Sequence, residues 1–161
     1  MEKKIPLVTL IMLLRDFPDN KSIEKDIRSF INKTSVEILS EFDASILYEI
    51  VSKVEGVSIS KIADSMIATK DLEYIYRLAI LDGELVDQLA QAVIELNDAE
   101  YMFKFLITFN NGPKEELKEA LYNINDPEYI YKLTQLEIMD ELDEEANDCE
   151  YKINKIKKIR R

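Results

Sequence analysis

The sequence predicts an all-α fold, a right-handed α-solenoid of stacked helical hairpins with about ten helices in a single domain (residues 1–161), and three observations predict it. The first is a repeated phrase. Asp-Leu-Glu-Tyr-Ile-Tyr from Asp71 returns as Asp-Ala-Glu-Tyr-Met-Phe from Asp98 and as Asp-Pro-Glu-Tyr-Ile-Tyr from Asp126. A degraded copy opens at Asp43 and a fragment at Asp148, so the starts lie 28, 27, 28 and 22 residues apart. A fixed period in this range marks stacked supersecondary units, each burying its apolar face against its neighbours. The second observation is an acid placed four residues before a base in each full copy: Glu73 with Arg77, Glu100 with Lys104, Glu128 with Lys132. That order is the favourable one on an exposed helix face. The third is composition, since 47% hydrophobic residues with three glycines argue against disorder and against a turn-rich β architecture.

The elements follow in order. The apolar run 5–14 is read as a buried first helix. Arg15, Asp16 and Phe17 follow it without a small-residue cleavage site, which argues against a signal peptide, and the run is too short to span a membrane. Residues 17–20 separate it from a helix over 22–31 with Ile23, Ile27, Phe30 and Ile31 on one side. Thr34 and Glu37 have the spacing of a capping box that opens a further helix through Leu39. Residues 1–42 are thus N-terminal capping helices, 43–151 are repeats starting at 43, 71, 98, 126 and 148, and 152–161 form a basic C-terminal helix end.

Within each unit the leading Asp suits the N-cap, and Pro127 suits the first helical position, where its missing N–H costs nothing. Offsets three, four, seven and eight from that Asp share one helix face. They hold Tyr74, Ile75, Leu78 and Ala79, then Tyr101, Met102, Phe105 and Leu106, then Tyr129, Ile130, Leu133 and Thr134. Tyr74, Leu78, Tyr101, Phe105, Tyr129 and Leu133 are therefore the expected structural core of the repeat, and offset five (Tyr48, Tyr76, Phe103, Tyr131) widens the apolar arc. In the second helix of each unit, Ile62, Met66 and Ile67 correspond to Leu89, Val93 and Ile94 and to Leu117, Leu121 and Tyr122. Turns fall at 55–56, 82–83 and 110–113, each with the glycine expected to end a helix.

The Asp-x-Glu-Tyr-Ile-Tyr phrase, spaced by about 28 residues and followed by a second short helix, resembles a group of short HEAT-like helical-repeat proteins from AT-rich bacterial and phage genomes. The resemblance covers about residues 43–151. It implies an α-solenoid, and it implies no activity and no catalytic residues. The first unit departs from the phrase, with Ser45 and Ile46 in place of Glu and Tyr, and the last is shortened.

The residue inventory excludes several chemistries. There is no histidine, which removes the commonest general base, the commonest non-thiolate zinc ligand and the usual pH switch. A single cysteine, Cys149, excludes an internal disulfide or a Cys₂ metal site and fits a reducing, cytoplasmic setting. The three glycines stand in separate turns, so no phosphate-cradling loop is present. The stretch 140–145 lacks the spaced oxygen ligands and mid-loop glycine of a calcium loop. The expectation is a protein that is not an enzyme and takes no metal or cofactor.

Charge points instead to a partner. Residues 152–161 carry six basic and no acidic groups, so the preceding 151 residues hold 15 basic against 32 acidic ones, a balance of −17. Such a body repels nucleic acid and favours basic partners. Opposite the apolar stripe of the second helices stand Asp64, Asp87, Glu95, Glu115, Glu116, Glu119, Glu137, Glu141 and Glu145. Stacking aligns them as an acidic strip, either a solvated face or a docking surface for a basic protein. An aromatic platform for bases is opposed by the packed offsets of the tyrosines and by the acidic body. The basic end, with Ile153, Ile156 and Ile159, reads as a cap that closes the stack, with a nucleic-acid or membrane-surface helix as the alternative. The expected function is an intracellular protein-interaction module. One version is a phage or mobile-element inhibitor that occupies the basic channel of a nucleic-acid-handling partner. An immunity protein or antitoxin, or a scaffold self-associating through an end of the stack, is the alternative.

Overall fold

The computed structural model describes the backbone of residues 6–159 and the side chains of residues 6–142 and 147. Ten α-helices and a single 3-10 turn form the described chain, and no strand occurs among the described residues. They are α1 (Leu7–Asp16), α2 (Lys21–Lys33), α3 (Val36–Leu39), α4 (Ala44–Lys53), α5 (Ile59–Thr69), α6 (Leu72–Leu81), α7 (Val86–Leu96), α8 (Ala99–Thr108), α9 (Lys114–Ile124) and α10 (Pro127–Ile159). The 3-10 turn, Gly83–Leu85, precedes α7. Among the described residues no helix is long and apolar enough to cross a membrane.

The apolar N-terminal run folds as α1, and Leu7, Leu10, Ile11 and Leu14 bury one stripe of it. Asn20 caps α2 by accepting from the N–H groups of Ser22 and Ile23 at 3.0 and 3.3 Å. The expected capping box at Thr34 does not form. The Thr34 hydroxyl donates backward to the Phe30 carbonyl at 2.7 Å, closing α2, and Ser35 takes the N-cap position of the four-residue α3. A hydroxyl engaged with its own preceding turn is unavailable to the next helix.

From Asp43 onward the chain alternates first helices (α4, α6, α8, α10) with second helices (α5, α7, α9). Each packs on its sequence neighbour and on the next helix of its own kind: α4 on α6, α6 on α8, α8 on α10, and α5 on α7, α7 on α9. The leading Asp residues cap as their chemistry requires. Asp71 accepts from the Tyr74 N–H at 3.3 Å, Asp98 from Tyr101 at 3.0 Å and Asp126 from Glu128 at 2.9 Å. Asp43, in the degraded copy, makes no such side-chain bond.

The apolar offsets are buried as a set. Ile75, Leu78, Met102, Phe105 and Leu133 are fully enclosed, as are Ile62, Met66, Leu89, Val93 and Leu121 from the second helices. The tyrosines at offset three are half-buried and join successive units ring to ring. The aromatic at offset five of one unit meets the tyrosine of the next, Tyr48 with Tyr74 at 5.8 Å, Tyr76 with Tyr101 at 6.1 Å and Phe103 with Tyr129 at 5.9 Å.

Two further expectations are corrected. Of the turn glycines, Gly56 alone adopts a left-handed conformation, with φ of 74°, and the Arg28 side chain lies against it while donating to the Glu55 carbonyl. The other left-handed positions fall to Lys70, Asn97 and Asn125, the residues directly before the capping Asp of the following unit. There they turn the second helix into the next unit's N-cap. The second concerns Asp148, placed by the repeat pattern at the start of a fifth unit. It lies inside α10, which runs unbroken from Pro127 to Ile159: Asn147 precedes it as Asn97 precedes Asp98, but 127–147 has no glycine-bearing turn to divide the segment into two helices.

Candidate protein-binding surface

The two kinds of helix present different surfaces. On the first helices the acid–base pairs close on themselves: Glu73 with Arg77 at 2.6 Å, Glu100 with Lys104 at 2.7 Å, Glu128 with Lys132 at 2.5 Å. Each cation also lies over the ring of its unit's tyrosine, Arg77 over Tyr74, Lys104 over Tyr101 and Lys132 over Tyr129, at 5.3, 4.2 and 4.4 Å from the centroids. Glu73 accepts in addition from the Tyr101 hydroxyl of the next unit at 2.9 Å. These bonds, Arg77 first and Tyr101 second, hold the Glu73 carboxyl below the usual range. Arg77, Lys104 and Lys132 are correspondingly raised by their glutamate partners. This surface is neutral, and its groups are committed to the repeat.

The second helices carry the predicted acids, and all of them on α5, α7 and α9 are exposed: Asp64, Asp87, Glu95, Glu115, Glu116 and Glu119. Asp64 is joined to the neighbouring helix by Gln88, whose amide donates at 2.7 Å, so α5 and α7 form one continuous outer face. Glu95 accepts from Gln91 at 3.3 Å near the end of α7. Glu115 stands 3.7 Å from Lys118. Among the described residues, Asp64, Asp87, Glu95, Glu116 and Glu119 form no ion pair.

The remaining three predicted acids belong to α10. Glu137 accepts from the Tyr122 hydroxyl of α9 at 3.3 Å, Glu141 is exposed further along α10, and the Glu145 side chain lies outside the described residues. So do the Cys149 thiol and the side chains of 152–161, on which the C-terminal cap reading depends. The backbone there continues α10 to Ile159.

Sequence reasoning missed how the cations of α9 are disposed. Lys114 and Lys118 line a shallow hollow with Asp140, Leu106, Ile107, Asn110 and Leu136, on the flank of α9 that meets α8 and α10. It also missed the contacts that fix the N-terminal helices. The Lys61 ammonium donates to the carbonyls of Ile31, Asn32 and Thr34 at 3.4, 2.9 and 3.1 Å, where the exposed carbonyls of a helix end favour a cation. Arg15 reaches Glu49 across 34 residues. No local spacing signals such pairs.

Among the described residues no cluster of three or more His, Cys, Asp or Glu could hold a metal ion. No protein-family model, curated protein or solved structure matches the chain.

Proposed function

We propose that the chain is a small α-solenoid of HEAT-like build acting inside the cell as an interaction module, and that it docks a basic protein through the outer face of α5, α7 and α9. The observation that supports this reading is the segregation of charge. On α6, α8 and the start of α10 the glutamate of each repeat is neutralised by a base that also lies over a ring, whereas Asp64, Asp87, Glu95, Glu116 and Glu119 stand exposed without a cation among the described residues. Unpaired exposed carboxylates retain their field, and a row of them attracts a basic surface of matching spacing. Proteins that handle nucleic acid are the natural class of partner, because their channels are built to receive closely spaced negative charge. Occupying such a channel inhibits it.

The test begins with partners captured by the wild-type chain from its host and purified. Glu115→Lys, Glu116→Lys and Glu119→Lys combined should abolish binding while helicity and melting stay nearly unchanged. The loss should appear first in the association rate and in its dependence on salt. Affinity that is unchanged across a range of salt removes the docking role and leaves these acids to solubility.

A further inference from the structure

The far side of α10 carries an apolar stripe that no described residue covers. Leu133 is fully buried on the side facing the body, with Tyr129, Ile130 and Leu136 half-buried around it. On the opposite side Tyr131, Ile138 and Leu142 follow at intervals of seven and four residues, 66%, 46% and 59% exposed, and Met139 beside them is 62% exposed. Tyr131 occupies offset five, the position whose aromatic side chain meets the next unit three times earlier in the chain. From Ile138 onward every described side chain is exposed, so α10 leaves the body there. The 22 residues from 138 to its end at Ile159 extend over about 33 Å.

We propose that this segment pairs with the same segment of a second copy of the chain as an antiparallel two-stranded coiled coil. Sequence spacing supplies the seam. After Leu142 the apolar positions are Ala146, Cys149, Ile153 and Ile156, at intervals of four, three, four and three residues, the alternation of a heptad seam. Charge supplies the direction. Positions 137–150 carry eight acidic and no basic residues, and 152–161 carry six basic and no acidic ones. Parallel pairing sets like against like. Antiparallel pairing about an axis at position 151 sets 146 opposite 156 and 149 opposite 153, and it lays the acidic block of each copy along the basic block of the other. Seam and charge thus choose the same axis.

Within one continuous helix these two charge blocks do not meet. A continuous helix holds its acidic and basic segments apart along its axis, where only residues about a turn apart meet. Glu137, Glu141 and Glu145 repeat at four-residue intervals, as do Asp140, Glu144 and Asp148, and such like-charged neighbours destabilise a lone helix. Most helical stability in proteins comes from packing of an amphipathic face, and from Ile138 onward the described side chains of α10 are all exposed. A second copy offsets both costs and covers the stripe. This surface shares no residue with the face of α5, α7 and α9, so either proposal can fail without the other.

Sedimentation velocity on the full chain tests it. The wild type should run at twice its 18.8 kDa mass, and Ile138→Glu with Leu142→Glu should weaken the dimer by at least about tenfold with little change in the melting of the body. Two charge variants give the decisive comparison. Glu141→Lys, Glu144→Lys and Glu145→Lys in one chain, and Lys152→Glu, Lys155→Glu and Lys158→Glu in another, should each be monomeric alone. Mixed, they should form a heterodimer, since one contact is restored with its signs reversed and the other is the native one. A spin label at Asp140→Cys in a Cys149→Ser background should report about 35 Å between antiparallel partners, against about 10 Å for parallel ones. A wild type that stays monomeric at its highest soluble concentration overturns the proposal, which leaves the stripe to a different partner. Charge variants that dimerise alone, or a short label distance, overturn it as well.

Discussion

Replacing Glu49 by Gln should flatten the acid limb of the protein's stability profile. Glu49, on α4, accepts from the Arg15 guanidinium Nε through both carboxylate oxygens at 2.9 and 3.0 Å, and Lys53 reaches it at 2.8 Å. The Arg15 bond is the largest cause holding its carboxyl down at about 2, against an ordinary 4.5. That lowering corresponds to about 3 kcal/mol favouring the ionised folded state. Arg15 is 55% exposed, and solvent screening at such a site reduces the figure to about 1–1.5 kcal/mol. In the unfolded chain the carboxyl takes up its proton near its ordinary value, while in the folded chain it stays ionised down to about 2. The contribution is therefore complete above about pH 5 and disappears as pH falls towards 2. Thermal unfolding followed by circular dichroism at intervals from pH 7 to pH 2 gives the comparison. At neutral pH, Glu49→Gln should lower Tm by about 2–5 °C, and the two proteins should converge by pH 2. Parallel profiles with a constant gap would refute the reasoning, because the Glu49 carboxyl would then titrate alike in folded and unfolded chains.

Two further outcomes follow from the repeat. Phe105 is fully buried, with ring centroids 5.7 Å from Tyr76 and 5.1 Å from Phe109, so Phe105→Ala should cost about 3–5 kcal/mol in urea unfolding. Glu100→Gln with Lys104→Gln, which removes an exposed pair and one cation–ring contact, should cost about 1 kcal/mol, and the reverse ranking would invert the assignment of faces. Lys70 sits at φ of 60°, a conformation that costs a branched or long side chain more than glycine. Lys70→Gly should stabilise by about 0.5 kcal/mol, while Asn97→Val should destabilise by about 1 kcal/mol, both read as shifts of the urea midpoint.

What could be read from the sequence was what depends on short separations. The Asp caps, the Glu–Lys and Glu–Arg pairs and the burial of Leu78, Phe105 and Leu133 each follow from residues within two helical turns of one another. The ring pairs between units were implied by the period but not by any single segment. Lys70 shows where local reading fails, since a lysine carries no signal for a left-handed turn, and the geometry is imposed by the need to bring Asp71 to the start of α6. Asp148 fails for the opposite reason. It has the phrase of a unit start and an asparagine before it, yet 127–147 lacks the glycine-bearing turn that divides each earlier unit into two helices, and helix propagation across that segment outweighs a capping preference of about 1 kcal/mol.

The acidic strip was legible as composition and only in part as geometry. Asp64 and Gln88 meet across 24 residues, a contact fixed by the packing of α5 on α7, and Glu137 of α10 accepts from the Tyr122 hydroxyl of α9 across 15 residues. The resulting division has an energetic logic. Glu73 on the first-helix face binds both Arg77 and the Tyr101 hydroxyl, so its loss disturbs the joint between two units. Asp87, Glu116 and Glu119 contribute no hydrogen bond or ion pair from their carboxylates among the described residues, so they can change at little cost to the fold. A surface whose charges are free of structural duty is the one on which selection for a partner can act, and in this chain that surface is the outer face of α5, α7 and α9.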